Sequence, residues 1–170
     1  MKIERIFDQT ISPLDHEENT FTSNEVFEIG LADGEICLST RIVEQFTKTY
    51  GQNDSWDDDA EAYGAFLNGA LVGKIELSPA WNDLGSIEQI VVAQDFRHRG
   101  IATELINFAK SWALGKQLKG LRLETQTNNV AACRLYFRNG FEVGGFDKLT
   151  YRTQPEVSGE TALYLYWFAS

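Results

Sequence analysis

Residues 86–110 constrain the fold more than any other part of the sequence, because they join two different periodic patterns. Residues 87–92 are rich in β-branched side chains, which predicts a buried strand. After a polar break at residues 93–99, apolar residues recur from Ile101 to Ala109 at the spacing of an amphipathic helix. The sequence therefore predicts a strand, a turn and a helix.

The start of this predicted helix has the chemistry of a phosphate site. A helix begins with unpaired backbone N–H groups and the positive end of a dipole, which together bind anions. Gly100 leaves space for a ligand beside the backbone, and residues 97–102 read Arg-His-Arg-Gly-Ile-Ala. Neither the dinucleotide fingerprint nor the P-loop pattern is present. An ordinary strand, turn and helix with exposed arginines is the alternative interpretation.

A second motif runs from Asn128 to Phe141 with the pattern N-x-x-A-x-x-x-L-Y-x-x-x-G-F. It predicts a short helix that ends at Gly140 as a C-terminal cap. The pattern R-x-x-G-x-A after a strand, followed by this second motif, resembles the GCN5-related N-acetyltransferases (GNAT), which use acetyl-coenzyme A.

The resemblance implies an α/β (α+β) GNAT fold, a single domain with a central mixed, mostly antiparallel, twisted sheet flanked by helices. We expect residues 1–24 to form an N-terminal arm and residues 25–170 to form the acetyltransferase domain. Alternating runs on either side of Asp33-Gly34 and of Asn68-Gly69 predict two hairpins. Further strands are predicted at residues 2–7, 121–127, 141–146 and 161–168, and residues 11–24 are predicted to be irregular.

Other segments resemble the members of that family that inactivate the antibiotic streptothricin (nourseothricin) by acetylating an amine of its β-lysine part. The matching segments include residues 81–84, 86–88, 123–129 and 164–168. The chain departs from the broad family at Gln94, where many members have proline, and at Ala102, where many have glycine.

The resemblance also implies which residues hold acetyl-coenzyme A. Backbone amides of residues 97–102 would bind the pyrophosphate, and Arg97 or Arg99 would add a charge-assisted bond. The backbone of residues 90–92 would bond the pantetheine arm like an added strand. Asn128 would bond the pantetheine or the helix start, and a helix N-cap is its alternative role. The full predicted set is Ile90, Val91, Val92, Arg97, His98, Arg99, Gly100, Ile101, Ala102, Asn128 and Ala131.

Two residues are implied as catalytic groups, Glu88 as general base and Tyr136 as the acid that protonates the leaving thiolate. A base is needed because an alkylamine, with a pKa near the lysine value of about 10, is protonated at neutral pH. Glu88 lies two residues before Ile90, and on a regular strand the two would share one face. A structural ion pair or a cation anchor for Glu88, and a core position for Tyr136, are the alternatives.

Substrate contacts are predicted from acidic and aromatic side chains, which suit a polycation. The acidic run at residues 54–61 is one candidate, and a solvated loop is the alternative interpretation of this run. The predicted set is Trp56, Asp58, Glu76, Trp81, Asp83 and Glu124.

The composition of the chain limits the kinds of molecule that it is expected to bind. A net charge of −10 disfavours nucleic acid and favours a cationic partner, with simple solubility as the alternative explanation of the charge. The resemblance implies that this partner is a small-molecule antibiotic. The sequence has no long apolar run, so we expect no membrane association and a cytoplasmic location. Cys37 and Cys133 lack metal-ligand spacing, so no metal is expected, and Cys133 is expected to be an inert buried thiol. The aromatic C-terminus is a candidate homodimer interface.

Two other functions remain open. The same fold could acetylate a different polycationic amine, such as a polyamine, an aminoglycoside or a protein N-terminus. It could also sense acetyl-coenzyme A without catalysis, although the presence of both Glu88 and Tyr136 argues against that function.

Overall fold

The computed structural model describes residues 1–7, 14, 19–50 and 59–169 of the 170-residue chain. Its strands are β1 (Lys2–Ile6), β2 (Thr20–Ala32), β3 (Glu35–Thr49), β4 (Glu61–Leu67), β5 (Ala70–Pro79), β6 (Leu84–Val92), β7 (Gly120–Gln126), β8 (Glu142–Asp147) and β9 (Ala162–Phe168). Its helices are α1 (Ile101–Gly115) and α2 (Val130–Arg138), and a 3₁₀ turn at Gln94–Phe96 precedes α1.

Seven strands form a mixed sheet in the order β1-β4-β5-β6-β7-β9-β8, and β2 and β3 form a two-stranded sheet. The neighbours β6 and β7 are joined through α1, the kind of crossover that parallel strands require. The expected α/β fold, a mixed sheet flanked by helices, is confirmed.

The chain divides into two compact units. The first unit comprises Met1–Thr20, Thr49–Arg122 and Phe168–Ser170, and the second comprises Phe21–Lys48 and Leu123–Trp167.

The first unit contains the antiparallel strands β1, β4, β5 and β6. Strands β4 and β5 meet at Asn68 and Gly69, whose φ angles of 52° and 84° fit the predicted tight hairpin turn. Strand β1 pairs with β4 from Lys2 opposite Phe66 to Ile6 opposite Ala62, so this part of the expected arm lies in the sheet.

Helix α1 packs closely on the sheet of the first unit because two strand residues that face the helix, Gly73 and Gly85, have no side chain. A Cβ atom at Gly73 would lie 3.1 Å from Ile101 Cγ2, and one at Gly85 would lie 2.7 Å from Trp112 Cζ3. The buried face of the helix consists of Ile101, Leu105, Ile106, Ala109, Trp112 and Ala113, which confirms the helical spacing seen in the sequence.

The second unit contains α2, β8, β9 and the ribbon formed by β2 and β3. The ribbon begins at Thr20, so the prediction that residues 11–24 are irregular is wrong for residues 20–24. Within the second unit, Arg134 of α2 donates to both carboxylate oxygens of Glu25, at 2.5 and 3.0 Å. The Phe27 N–H also donates to the Thr127 carbonyl at 2.8 Å, and Lys48 pairs with Glu160, so several polar contacts bond the ribbon to the rest of this unit.

Glu61 joins β4 to α1 through a cluster of hydrogen bonds. Its Oε2 accepts from the Tyr63 hydroxyl at 2.5 Å and from Trp112 Nε1 at 2.8 Å. Its Oε1 accepts from Lys116 Nζ at 2.9 Å. Partial burial raises the pKa of Glu61, but the donated hydrogen bonds and the Lys116 charge outweigh it and bring the pKa to about 2. Glu61 is therefore ionised at neutral pH and stabilises the packing of α1.

We expect Glu61→Gln to lower the free energy of unfolding by on the order of 1 to 3 kcal/mol at neutral pH. The pKa of Glu61 lies below its ordinary value of 4.5, so this stabilisation is complete above that pH and is lost as the pH falls towards about 2. Urea unfolding at several pH values, neutral and acidic, measures the difference. Glu4→Gln, at the exposed ion pair with Lys2, is the control and should have little effect. The same loss at neutral and acidic pH would contradict the assignment.

Candidate active site

The loop between β6 and α1 has an open backbone. Gly100 is the N-cap of α1 with φ +82°, and no side chain of the described chain caps this helix. A Cβ atom at Gly100 would meet nothing within 4 Å. His98 also has a positive φ of 59°, so the loop turns through two left-handed residues. The exposed backbone at the start of α1 can therefore receive an anion.

The two arginines of this loop have different surroundings. Arg97 is half-buried, and its Nε and Nη1 donate to the carbonyls of Val92 at 3.0 Å and Thr20 at 2.9 Å. Arg99 is exposed, with its guanidinium carbon 5.1 Å from the centroid of the Phe96 ring. Arg97 therefore braces the backbone of the loop, whereas Arg99 presents its charge to solvent.

Glu88 occupies a bulge in β6. Strands β5 and β6 pair Glu76 with Gln89 but Leu77 with Ile87, so Glu88 is an extra residue between two registered pairs. A bulge bends the strand and redirects a side chain, and such features occur often beside active sites.

The bulge also places the side chains of Glu88 and Ile90 on opposite faces of the sheet. The Glu88 carboxylate accepts a hydrogen bond of 2.5 Å from the Ser78 hydroxyl, whereas Ile90 pairs with Ile75. Ser78 and Ile75 point to opposite faces of β5, because an odd number of steps separates them. The prediction that Glu88 and Ile90 share a face is therefore wrong, since the extra residue interrupts the alternation. Glu88 is exposed and Ser78 is buried, so the carboxylate is not enclosed in the apolar strand.

A row of polar side chains lies along the face of β5 that carries Ser78. Lys74 Nζ lies 2.8 Å from Glu76 Oε1, and the two residues are 6% and 3% exposed. Glu76, a predicted substrate contact, is therefore buried in an ion pair. Lys74 and Ser78 are not among the predicted site residues, although polar residues at alternate positions of an otherwise apolar strand were the available signal.

Asn128 lies just before α2 in the second unit. The N-cap of this helix is Asn129, whose side chain accepts from the Ala132 N–H at 3.2 Å, so the alternative role of Asn128 as a helix cap is wrong. Asn128 Oδ1 is buried and has no hydrogen-bond partner among the described residues. A buried acceptor without a donor is unfavourable, so this atom can receive an N–H group from a ligand.

Helix α2 carries the other predicted residues of this motif. Tyr136 is 5% exposed, and its ring packs edge-on against Phe141 at 5.6 Å between centroids. Gly140, with φ +79°, ends the helix as predicted. Ala131 is exposed on the first turn. Cys133 is fully buried, and this burial raises the pKa of its thiol to about 12, which agrees with an inert thiol.

The predicted substrate contacts are dispersed along the chain. Trp81 and Asp83 lie in the exposed turn between β5 and β6, with Trp81 77% exposed. Glu124 is exposed on β7 and accepts from the Tyr151 hydroxyl at 2.5 Å, which in turn accepts from Gln126 Nε2 at 2.8 Å. Trp56 and Asp58 lie outside the described residues.

Two kinds of feature, a membrane-spanning helix and a cluster of metal-ligating side chains, are absent from the described ranges. No helix there is long and apolar enough to cross a membrane. In the same ranges, no group of three or more histidine, cysteine, aspartate or glutamate side chains could hold a metal ion.

Comparison with known proteins gives a family and close relatives. The model of the acetyltransferase (GNAT) family matches residues 31–141. A streptothricin acetyltransferase from Escherichia coli is 54% identical over 169 residues, which cover 99% of this chain and 97% of that protein. Streptothricin acetyltransferase A from Bacillus subtilis (strain 168) is 34% identical over 133 residues, covering 73% of this chain and 76% of that protein.

One solved structure agrees with these relatives. A Bacillus anthracis str. Ames protein, assigned as a streptothricin acetyltransferase and crystallised in complex with acetyl coenzyme A, superposes with a TM-score of 0.87. It is 30% identical, and the match covers 99% of each chain.

Proposed function

Because this chain belongs to the GNAT family of acetyltransferases, we propose that it inactivates streptothricin by acetylating an amine of the β-lysine part of the antibiotic. The chain is an acetyl-coenzyme A-dependent N-acetyltransferase. The observation that carries the choice of substrate is the 54% identity with the Escherichia coli streptothricin acetyltransferase over almost the whole of both chains.

The described residues suit the coenzyme, which supplies an activated acetyl thioester when it is bound. The open backbone at His98 and Gly100 suits a pyrophosphate, and the exposed charge of Arg99 would strengthen that contact. Asn128 Oδ1 would accept an amide N–H of the pantetheine, and this assignment is supported because no donor to this buried atom lies among the described residues. Arg97 would act on this site through the backbone that it braces.

Glu88 is proposed as the general base. The substrate amine must lose a proton before it can attack a carbonyl carbon, and a carboxylate can take that proton directly or through a water molecule. Exposure of Glu88 at a bulge supports this role, because a carboxylate buried among apolar residues would not reach a substrate.

Tyr136 is proposed as the acid. Its hydroxyl would donate to the departing thiolate, and the ordinary pKa values of tyrosine and thiol, about 10 and 8.5, are close enough for such a transfer. The edge-on packing of Tyr136 against Phe141 supports the role because it limits the freedom of the ring.

Recognition of the cationic antibiotic is proposed to rest on acidic and aromatic side chains. Glu124 has its carboxylate fixed by Tyr151, and Trp81 and Asp83 are exposed on one turn. The net charge of −10 supports attraction of a polycation over a longer range, which salt would weaken.

The direct test is an assay of thiol release from acetyl-coenzyme A with streptothricin as acceptor. We expect turnover of streptothricin well above that of spermidine, an aminoglycoside or a peptide N-terminus. Mass spectrometry of the product, with fragments that locate the added acetyl group, should place it on the β-lysine part. Equal or better turnover of spermidine would favour the alternative of a polyamine acetyltransferase, and no turnover of any amine would end the proposal.

We expect Gly100→Ala to weaken acetyl-coenzyme A binding by about tenfold or more, since the added methyl group would meet the pyrophosphate. Gly69→Ala is the matched control, because both glycines have positive φ (82° and 84°) and neither Cβ would meet an atom within 4 Å. Both variants should lose similar stability, but only Gly100→Ala should change the coenzyme Kd measured by calorimetry. Equal Kd values for the two variants would contradict the phosphate-loop assignment.

We expect Tyr136→Phe to lower kcat by about tenfold to a hundredfold, with little change in the coenzyme Kd, because it removes a proton donor and keeps the ring. Tyr63→Phe, which removes the hydroxyl bonded to Glu61, is the control and should affect stability rather than kcat. Steady-state kinetics and calorimetry provide the two measurements. A variant that loses coenzyme affinity but keeps kcat would remove Tyr136 as the acid.

A further inference from the structure

Ser78 and Glu88 form a contact between one of the most deeply buried hydroxyls and an exposed carboxylate. Ser78 is 1% exposed, and its Oγ lies 2.5 Å from Glu88 Oε1. The bond engages one oxygen of the carboxylate. A carboxylate has a second oxygen that can accept from a substrate or a water molecule, and no bond to it is made by the described residues.

Ser78 lies on a strand with two neighbours, whereas Glu88 lies in the bulge of β6. Strand β5 has neighbours on both sides, β4 and β6, and Ser78 itself pairs with Ser86. Serine has a single side-chain torsion to its oxygen, so the hydroxyl has little freedom. Glu88 has three torsions and belongs to the bulge, so its carboxylate would sample many positions without a partner. A bond to a rigid donor restricts that sampling.

The face of β5 around Ser78 is suited to this task. Glu76, two residues before Ser78 on the same face, is already paired with Lys74. Because the Ser78 hydroxyl is buried, it also needs a partner, and Glu88 satisfies it. The hydrogen bond between Ser78 and Glu88 is therefore favourable for both residues. It can stabilise the fold, and it can also orient the carboxylate for the reaction.

We propose that Ser78 is a positioning residue for the reaction: its hydroxyl holds the Glu88 carboxylate in the orientation in which it receives the proton of the substrate amine. This inference rests on the proposed function, in which Glu88 is the general base. Ser78 does not touch the substrate. Its contribution is to reduce the number of orientations of Glu88, which favours the geometry needed for proton transfer.

A double-mutant cycle of Ser78→Ala and Glu88→Gln tests the inference. We expect Ser78→Ala to lower kcat by about tenfold, with KM and the coenzyme Kd changed by less than about twofold. In the Glu88→Gln background, the same substitution should change kcat by less than about twofold, because no carboxylate remains to be positioned. Independent effects that multiply in the double variant would overturn the proposal.

A second pair of variants separates the hydroxyl from the packing. Ser78→Thr keeps the hydroxyl and Ser78→Val replaces it by a methyl group, and the two side chains have nearly the same shape. We expect Ser78→Thr to have a kcat about fivefold or more above that of Ser78→Val, at similar thermal midpoints. Equal kcat values for this pair would show that Ser78 matters only for folding.

The outcomes distinguish this inference from the proposed function. If Glu88→Gln leaves kcat unchanged, the assignment of the base is wrong and the role of Ser78 falls with it. If Glu88→Gln lowers kcat but the Ser78 variants act independently of it, the base stands and only the positioning role of Ser78 is overturned.

Discussion

The single extra residue in β6, Glu88, determines which side chains of this strand lie on the face that packs against α1 and which lie on the opposite face. In an unbroken register, Glu88 would stand opposite Leu77, on the face that packs against α1, and its carboxylate would be buried under the helix. The shift between Glu76 and Leu77 removes Glu88 from that face. It also allows Ile87 and Ile90, three residues apart, to lie on the same apolar face. One inserted residue thus keeps the packing of α1 apolar and places a carboxylate on the opposite side, within reach of Ser78.

The two faces of β5 also differ in polarity. On one face, Gly73, Ile75 and Leu77 provide a flat apolar surface that allows α1 to approach closely. On the other face, Lys74, Glu76 and Ser78 are buried and polar. A buried ion pair such as that of Lys74 and Glu76 contributes little net stability, because the loss of hydration offsets most of the attraction. Within this row, Ser78 also bonds outside β5, to the Glu88 carboxylate of β6.

The elements of the fold could be predicted from the sequence because each depends on local patterns. The turns at Asp33-Gly34 and Asn68-Gly69, the glycine that begins α1 and the one that ends α2 all have the positive φ angles that their residue types favour. The bulge was not predicted, because strand alternation was assumed to continue from Ile87 to Val92. The spacing of Ile87, Ile90 and Val92, first three residues and then two, was the signal that a residue had been inserted. The bracing role of Arg97 depends on a contact with the carbonyl of Thr20, which is distant in sequence and which the sequence alone does not reveal.

The two cysteines of the chain lie in opposite environments. Cys133 is enclosed in α2 and its thiol stays protonated at neutral pH, whereas Cys37 is exposed on β3 of the ribbon. Reagents such as maleimides react with accessible thiolates, so they should modify the ribbon and leave the helix untouched. The natural sequence thus offers one attachment point for a fluorophore or a spin label, and motion of the ribbon can be followed without engineering a new cysteine.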